Sequence, residues 1–182
     1  MNKTSTDVLV IGAGPIGLFS VFELGQLGMK SCVVDSLDII GGQCSSLYPE
    51  KPIYDIPAYP EISGQKLIDN LSNQIKPFSP KFILGERVEK IIKENDEFLV
   101  FTSNNKSIKC KCILIAAGNG AFGPNKPPLK DIEEYENKSI FYHITNKSIF
   151  KNKKIAIAGG GDSAVDWAIE LSSVAEKVFF YS

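Results

Sequence analysis

The sequence predicts an α/β fold in which two segments of strand, tight turn, helix and strand occur along one chain. The first segment starts with residues 7–11, four of which are apolar, and continues into Gly12, Gly14 and Gly17 with G-x-G-x-x-G spacing. Apolar residues then recur at helical spacing, and a second apolar run ends at Asp35. The same order of patterns returns near the end of the sequence. Glycine-rich turns between a strand and a helix are typical of parallel sheets that bind dinucleotides.

Each glycine of the first segment has its own expected role. Gly12 permits the tight turn, Gly14 leaves room for a pyrophosphate beside the backbone, and Gly17 lets the helix lie close to the strand. The start of the helix offers free N–H groups and the positive end of its dipole to phosphates. Asp35 lies 18 residues after Gly17, at a place where an acid can accept hydrogen bonds from ribose hydroxyls. The alternative is a structural glycine-rich turn in another kind of parallel sheet.

Composition restricts the class of protein. The chain has 182 residues, of which 43% are hydrophobic and 23% are charged, and its net charge is −1. These values give no electrostatic reason to expect binding to nucleic acid or to a membrane surface. The four cysteines have no C-x-x-C spacing, and Cys110 and Cys112 with a single histidine make a poor metal site. Free thiols and the lack of a signal-peptide pattern predict a cytoplasmic location.

Two stretches after the first segment predict loops that approach a ligand. Gly41 and Gly42 suit a backbone that passes close to a bound molecule, and Gln43 both donates and accepts hydrogen bonds. The alternative for this stretch is a plain surface turn. Residues 47–57 contain three prolines, which predict an ordered loop without helix. Tyr48 in this loop either stacks on a ring or packs against the protein.

The middle of the chain predicts one helix and a group of strands. Ser63 is the expected N-cap of a helix that runs to about residue 76, because apolar residues recur on one of its faces. Residues 81–110 predict a three-stranded meander. Residues 112–118 predict a fully buried strand, because the run is almost continuously apolar and ends in small residues.

The second segment follows a change in composition. Gly118 begins a stretch rich in glycine and proline, which makes it the predicted domain boundary. Residues 140–144 predict a strand. A further apolar strand then leads into Gly159, Gly161 and Ala164, whose spacing is G-x-G-x-x-A, and a helix and a last strand follow. This is the dinucleotide-binding pattern with alanine in the place of the third glycine.

Two such patterns in one chain resemble the two-dinucleotide-binding-domain flavoproteins, a class that includes thioredoxin reductase. More narrowly, the chain resembles the thioredoxin-reductase-like ferredoxin–NADP reductases. The resemblance implies an α/β fold: a three-layer FAD/NAD(P)-binding Rossmann-type domain with a β-meander, followed by the first half of a second Rossmann-type domain. It extends over essentially the whole chain, and the segments that match most clearly are residues 41–43, 47–55, 116–122 and 159–168.

The resemblance also implies the cofactors and the residues that bind them. The first Rossmann-type segment would hold FAD and the second NADPH. Asp35 would bind the adenosine ribose, Val88 would bind the adenine edge through its backbone, and Phe122 would close over the cofactor. Gln43 and Tyr48 would border the flavin. The residues implied at the two pyrophosphates are Gly12, Gly14, Ile16 and Gly17 for FAD, and Gly159, Gly161, Asp162, Ser163 and Ala164 for NADPH.

The implied domains are residues 1–118, an FAD domain without its C-terminal return segment, and residues 119–182, an incomplete NADPH domain. The implied reaction is hydride transfer from NADPH to the flavin and electron transfer to a ferredoxin-like protein, in a homodimer when the protein is intact. No side chain is required as a general acid or base. No cysteine follows Cys112, so the second domain lacks residues for dithiol chemistry. Two alternatives are a thioredoxin-reductase-like flavoenzyme with another acceptor and a non-catalytic FAD-binding fragment.

Overall fold

A computed structural model describes residues 3–121, 126–142, 144 and 146–181. The chain divides into two compact units, residues 1–143 and residues 144–182, which we call the first and second units. The domain boundary that the composition predicts at residue 118 lies within the first unit and remains a prediction.

The first unit contains eight described strands and three α-helices, and the second contains two strands and one α-helix. The strands are β1 (Lys3–Ile11), β2 (Ser31–Val34), β3 (Pro52–Ile53), β4 (Ile62–Ser63), β5 (Lys81–Ile83), β6 (Val88–Glu94), β7 (Glu97–Thr102), β8 (Ser107–Ile115), β9 (Lys154–Ala158) and β10 (Lys177–Tyr181). The α-helices are α1 (Pro15–Gln26), α2 (Gln43–Ser46), α3 (Gly64–Ile75) and α4 (Asp162–Ser172). Short 3₁₀ helices occupy Lys76–Phe78, Ile132–Glu134 and Lys147–Phe150.

Six strands of the first unit form one mixed sheet in the order β5-β2-β1-β8-β7-β6. The neighbours β5, β2, β1 and β8 pair in parallel, whereas β8, β7 and β6 form an antiparallel meander. The predicted three-stranded meander is confirmed as β6, β7 and β8, but its predicted start at residue 81 is wrong, because β5 pairs with β2 at the parallel edge of the sheet. A strand as short as β5 has no sequence feature that indicates whether it pairs with β2 or with the meander.

Strand β8 belongs to both halves of the sheet. It pairs with β1 from Ser107 to Ile115, but with β7 only from Ser107 to Cys110. The predicted end of the meander and the predicted buried strand are thus one strand. The prediction of full burial for residues 112–118 is wrong, since Cys112 is exposed and Ile115 is 72% exposed. The described part of the chain pairs no strand with β8 on that side beyond Cys110.

The core lies on both faces of β1. Val8 and Val10 pack on one face with buried residues of α1 and α3, whereas Leu9 packs on the other with Val100 and Ile108 of the meander. Because side chains alternate along a strand, a run that is apolar at every position is covered on both faces. This burial explains why residues 8–11 are continuously apolar.

Helix α3 confirms its predicted start and apolar face. The hydroxyl of Ser63 accepts a hydrogen bond from the backbone N–H of Lys66 at 3.3 Å, as an N-cap does. Leu67, Ile68 and Ile75 are buried. The loop over residues 47–57 is partly regular, because β3 within it pairs with β4 as a short antiparallel ribbon.

In the second unit, β9 and β10 pair in parallel and α4 connects them, as the second pattern predicts. The strand predicted over residues 140–144 is wrong for the residues that the structure describes there, where Ile140 makes a single bridge to Glu136. Among the described residues, none of the helices has the length and apolar character needed to cross a membrane.

Candidate dinucleotide-binding site

The first unit contains a cavity of about 540 Å³ at the carboxyl ends of β1, β2 and β8. The parallel sheet reverses its order beside β1, since β2 lies on one side and β8 on the other. Ligands of open α/β sheets bind at such a switch point. The residues that line the cavity come from the segments 11–16, 34–37, 42–48, 86–88 and 116–121.

Two glycines of the first turn are required by close packing. Gly12 has a φ of 109°, and a Cβ on it would lie 2.3 Å from the carbonyl oxygen of Ala116 at the end of β8. A Cβ on Gly17 would lie 1.9 Å from the carbonyl oxygen of Gly12. Both distances are far too short for any side chain. The turn and the first turn of α1 can therefore pack only as glycine backbone.

Gly14 differs from these two glycines. It is the N-cap of α1 with a φ of −72°, and apart from its chain neighbours no atom of the described residues lies within 4 Å of the position that its Cβ would take. Gly14 lines the cavity, and no side chain caps the start of α1. The space over Gly14 is thus open beside the N–H groups of a helix start, an arrangement that suits a phosphate.

Asp35 follows β2 and lines the cavity beside the glycine turn. Its Oδ2 accepts a hydrogen bond from the backbone N–H of Ala13 at 2.6 Å, and its Oδ1 accepts one from Leu37 at 2.9 Å. Each carboxylate oxygen retains a second lone pair. Asp35 therefore holds the glycine turn in place and still has acceptors for hydroxyl groups of a ligand.

Gln43 and Tyr48 line another side of the cavity, together with Cys44. Tyr48 is hydrogen-bonded to the Cys44 thiol, and burial raises the pKa of the Cys44 thiol above its usual value. Burial also raises the pKa of the Tyr48 hydroxyl, and a negative charge on Cys44 would raise it further. Both groups therefore stay neutral near pH 7 and add no charge to the cavity wall.

Val88 begins β6 at the wall of the cavity, directly after Glu86 and Arg87. The pairing of β6 with β7 shifts between Val88 and Lys90, which leaves Glu89 as an extra residue in a β-bulge. Glu86 also lines the cavity and is only 2% exposed, and the sequence does not predict this role for it. A glutamate between two short apolar runs has no pattern that distinguishes burial from exposure.

Most of the residues predicted for the first site lie around one cavity. Gly12, Gly14, Ile16, Asp35, Gln43, Tyr48 and Val88 all line the cavity, and Gly17 packs directly behind the turn. Phe122 lies outside the described residues. The assignment of these residues to FAD remains a prediction.

The second unit repeats the glycine turn in a more open form. Gly161 is the N-cap of α4, and in the part of the chain that the structure describes a Cβ on it would meet no atom within 4 Å beyond its chain neighbours. A Cβ on Gly159 would lie 3.1 Å from the Cβ of Ala164, which shows how closely the third position approaches the first. Asp162 and Ser163 are the first two residues of α4 and are exposed. Their assignment to NADPH also remains a prediction.

Comparison with known proteins confirms the resemblance found in the sequence. A family model described as pyridine nucleotide-disulphide oxidoreductase matches residues 6–180. The chain is 58% identical over 173 residues to the ferredoxin–NADP reductase of Anaplasma phagocytophilum. This alignment covers 95% of the chain and 51% of that protein. It is 58% identical over 175 residues to the ferredoxin–NADP reductase of Rickettsia conorii, covering 96% of the chain and 52% of the relative. The chain spans about half the length of these curated relatives.

Solved structures confirm the predicted α/β fold of Rossmann type. The thioredoxin reductase of Lactococcus lactis matches with a TM-score of 0.73 and 25% identity, over 96% of this chain and 55% of that one. The thioredoxin reductase of T. acidophilum matches with a TM-score of 0.75 over 97% of this chain and 55% of that one. At 22% identity, this second match shows the fold alone.

Proposed function

Because the chain belongs to the pyridine nucleotide-disulphide oxidoreductase family, we propose that it binds FAD in the first unit and NADPH at the glycine turn of the second. We propose further that it forms the N-terminal half of a ferredoxin–NADP reductase. The activity is supported by the relatives that bear this name. The proposal that the chain is about half of such an enzyme is supported by its coverage of about half their length.

The observation that supports FAD most directly is the open space over Gly14 in the cavity of the first unit. Two neighbouring glycines have no room for a Cβ, whereas Gly14 faces the cavity without a protein neighbour. The N–H groups at the start of α1 bind the pyrophosphate, and Asp35 accepts hydrogen bonds from the ribose hydroxyls. A 2′-phosphate would be repelled by the carboxylate of Asp35, which favours FAD over NADP at this site.

Bound FAD supplies the redox chemistry, since a flavin accepts a hydride and releases electrons singly. The residues of this chain bind and orient it. Tyr48 is neutral and half-buried at the cavity wall, where its ring offers a face for stacking and its hydroxyl is engaged with Cys44. Gln43 offers one donor and one acceptor to the polar groups of the flavin. No described residue of the cavity is needed as a proton donor or acceptor for this role.

The remaining parts of the proposal concern partners. The relatives are ferredoxin–NADP reductases, which supports NADPH as the donor and a ferredoxin as the acceptor. We also propose that the intact protein forms a homodimer and is located in the cytoplasm. The location is supported by the free thiols, since all four cysteines are unpaired in the structure.

The test is an assay of NADPH oxidation by the FAD-loaded chain with a ferredoxin or a thioredoxin as acceptor. The Anaplasma phagocytophilum relative serves as the positive control. Turnover with ferredoxin and none with thioredoxin supports the proposal. Turnover with thioredoxin alone favours the alternative acceptor. An FAD-loaded chain that NADPH does not reduce is a non-catalytic flavin-binding protein, and the proposed activity is then wrong for this chain.

A further inference from the structure

Glu86 is the most deeply buried charged side chain at the cavity, with 2% of its surface exposed. It lies between β5 and β6, two residues before Val88. A buried carboxylate is costly unless it is paired and hydrogen-bonded. The contacts of Glu86 therefore indicate which part of the first unit depends on it.

The carboxylate is bound to the hairpin between β7 and β8. Thr102 donates a hydrogen bond from its hydroxyl to Glu86 Oε2, and the Lys106 ammonium forms an ion pair with Oε1. Thr102 itself is 3% exposed, and its backbone N–H donates to the carbonyl of Lys106 at 3.1 Å. Thr102 is also the residue that pairs with Val88 across the β6–β7 ladder. Glu86 thus fastens the hairpin beside the first residue of β6.

The backbone of the same short segment is bound to the ribose side of the cavity. The N–H of Glu86 donates to the carbonyl of Asp35 at 2.9 Å, and the N–H of Gly85 donates to the carbonyl of Leu37 at 2.8 Å. The carboxylate of Asp35 in turn accepts from Ala13 in the glycine turn. A continuous set of hydrogen bonds therefore runs from the hairpin through Glu86 and Asp35 to the glycine turn.

The charge of Glu86 is matched locally. Burial alone would raise the pKa of its carboxyl, but the bonds from Lys106, Thr102 and Asn104 outweigh burial and hold the pKa below its ordinary value. Glu86 is consequently charged at neutral pH and is already satisfied by the protein. A group in this state does not need to contact the ligand in order to affect its binding.

We propose that Glu86 is a positioning residue for the adenosine half of the nucleotide. Through Thr102 and Lys106 it fixes residues 86–88 against Asp35, so that the Val88 backbone and the Asp35 carboxylate face the adenosine together. This inference rests on the proposed FAD site and assigns a role that is distinct from direct contact. Removal of the Glu86 charge loosens the adenosine end and leaves the flavin end unchanged.

The test compares three probes on the 182-residue chain: FAD, ADP as the adenosine half and FMN as the flavin half. Glu86→Gln is expected to weaken both FAD and ADP by about tenfold, because a charged buried hydrogen-bond network is lost. FMN affinity is expected to stay within about twofold, since FMN has no adenosine. Equal weakening of FAD and FMN, or unchanged ADP affinity, overturns the inference.

Two lysine variants test the same role if Glu86→Gln fails to fold. Lys106 is 44% exposed, so Lys106→Met removes the ion pair at a tolerant position, and Lys106→Arg retains the charge. The first is expected to weaken ADP severalfold and the second to restore it. Glu97→Gln is the matched control, because Glu97 pairs with Lys109 in the same meander and does not line the cavity. It is expected to leave all three affinities unchanged.

The outcomes separate this inference from the proposed function. A folded wild-type chain that binds neither FAD nor ADP contradicts the FAD site, and the inference falls with it. A wild-type chain that binds both, with Glu86 and Lys106 variants that also bind ADP normally, contradicts the inference alone.

Discussion

At the scale of single residues, the three glycines of the first turn have different reasons to be glycine. Gly14→Val is expected to leave the fold intact, because Gly14 has an extended conformation and open space around its Cβ position. The same change is expected to weaken FAD binding by more than tenfold, which is more than about 1.4 kcal/mol, because the side chain would occupy the space proposed for the pyrophosphate. Flavin titration and a thermal melt measure the two effects.

Gly17→Ala is the contrasting variant. Its Cβ would collide with the carbonyl oxygen of Gly12 at 1.9 Å, so the expected result is a loss of stability rather than a selective loss of flavin. If Gly14→Val binds FAD as tightly as the wild-type chain, the phosphate site is not at this turn.

Asp35 is hydrogen-bonded to the glycine turn and is the residue proposed to bind the ribose. Asp35→Ala is expected to weaken FAD by about 1–3 kcal/mol, the range for hydrogen bonds to a charged group. It is also expected to lower the melting temperature, because the N–H groups of Ala13 and Leu37 lose their acceptor. Equilibrium titration with FAD measures the first effect. Affinity equal to that of the wild-type chain would show that the carboxylate does not bind the ribose.

The sequence was informative about residues wherever backbone geometry demands one residue type. Gly12 and Gly17 could be predicted because the tight turn and the close packing behind it leave no room for a side chain. The roles of Gly14 at a phosphate and of Asp35 at a ribose stay predictions. Glu86 could not be recognised, because its burial depends on Thr102 and Lys106, which only the meander brings beside it. The sequence does not distinguish stacking from packing for Tyr48, because both need only an aromatic ring. In the structure Tyr48 lies at the cavity wall and its hydroxyl is hydrogen-bonded to Cys44.

At the scale of elements, Glu86 couples the stability of the hairpin to pH. Its folded pKa lies below the ordinary value of 4.5, so its contribution to stability is fully present above that value. The contribution is lost as the pH falls through the folded pKa. The difference in unfolding free energy between the wild-type chain and Glu86→Gln is expected to be constant from pH 7 to about 5 and to shrink below 4.5. Urea unfolding at several pH values measures it, and a difference that does not change with pH contradicts the assignment.

Helix α1 is held to the sheet by its buried face. Leu18 is 0% exposed, so Leu18→Ala is expected to lower the unfolding free energy by about 2–5 kcal/mol through loss of packing and cavity formation. Leu27, directly after the helix and 70% exposed, is the matched control, and Leu27→Ala is expected to cost less than about 0.5 kcal/mol. Equal effects of the two changes would contradict the described packing of α1.

Helices α1, α3 and α4 and the two glycine turns were the most predictable elements, whereas the short helix α2 lies in a stretch that was predicted as a loop. The apolar face and the Ser63 cap identified α3, and the repeat of the glycine pattern identified α4 and its two strands. The neighbours of β5 and the double pairing of β8 were not predictable, because the parallel and antiparallel partners of a strand are chosen by long-range packing. The same holds for residues 140–144, whose apolar run satisfies a strand pattern without any strand beside it in the described region.

At the scale of the whole molecule, the chain combines two compact units that each contain a strand, a glycine turn and a helix. The first unit has a cavity at the ends of its parallel strands, and the second has an open turn at the start of α4. The relatives at 58% identity are about twice as long as the region they share with this chain. Of the properties proposed for the enzyme, FAD binding is therefore the one that can be tested most directly on these 182 residues.

The most direct measurement is the flavin content of the purified chain. The 182-residue protein is incubated with excess FAD, freed from unbound flavin by gel filtration, and its visible absorption spectrum is compared with its protein concentration. The predicted result is a yellow protein that retains close to one FAD per chain, with Gly14→Val colourless under the same treatment. A folded wild-type chain that retains no flavin, and shows no binding in an equilibrium titration, would contradict the assignment of the first unit to FAD.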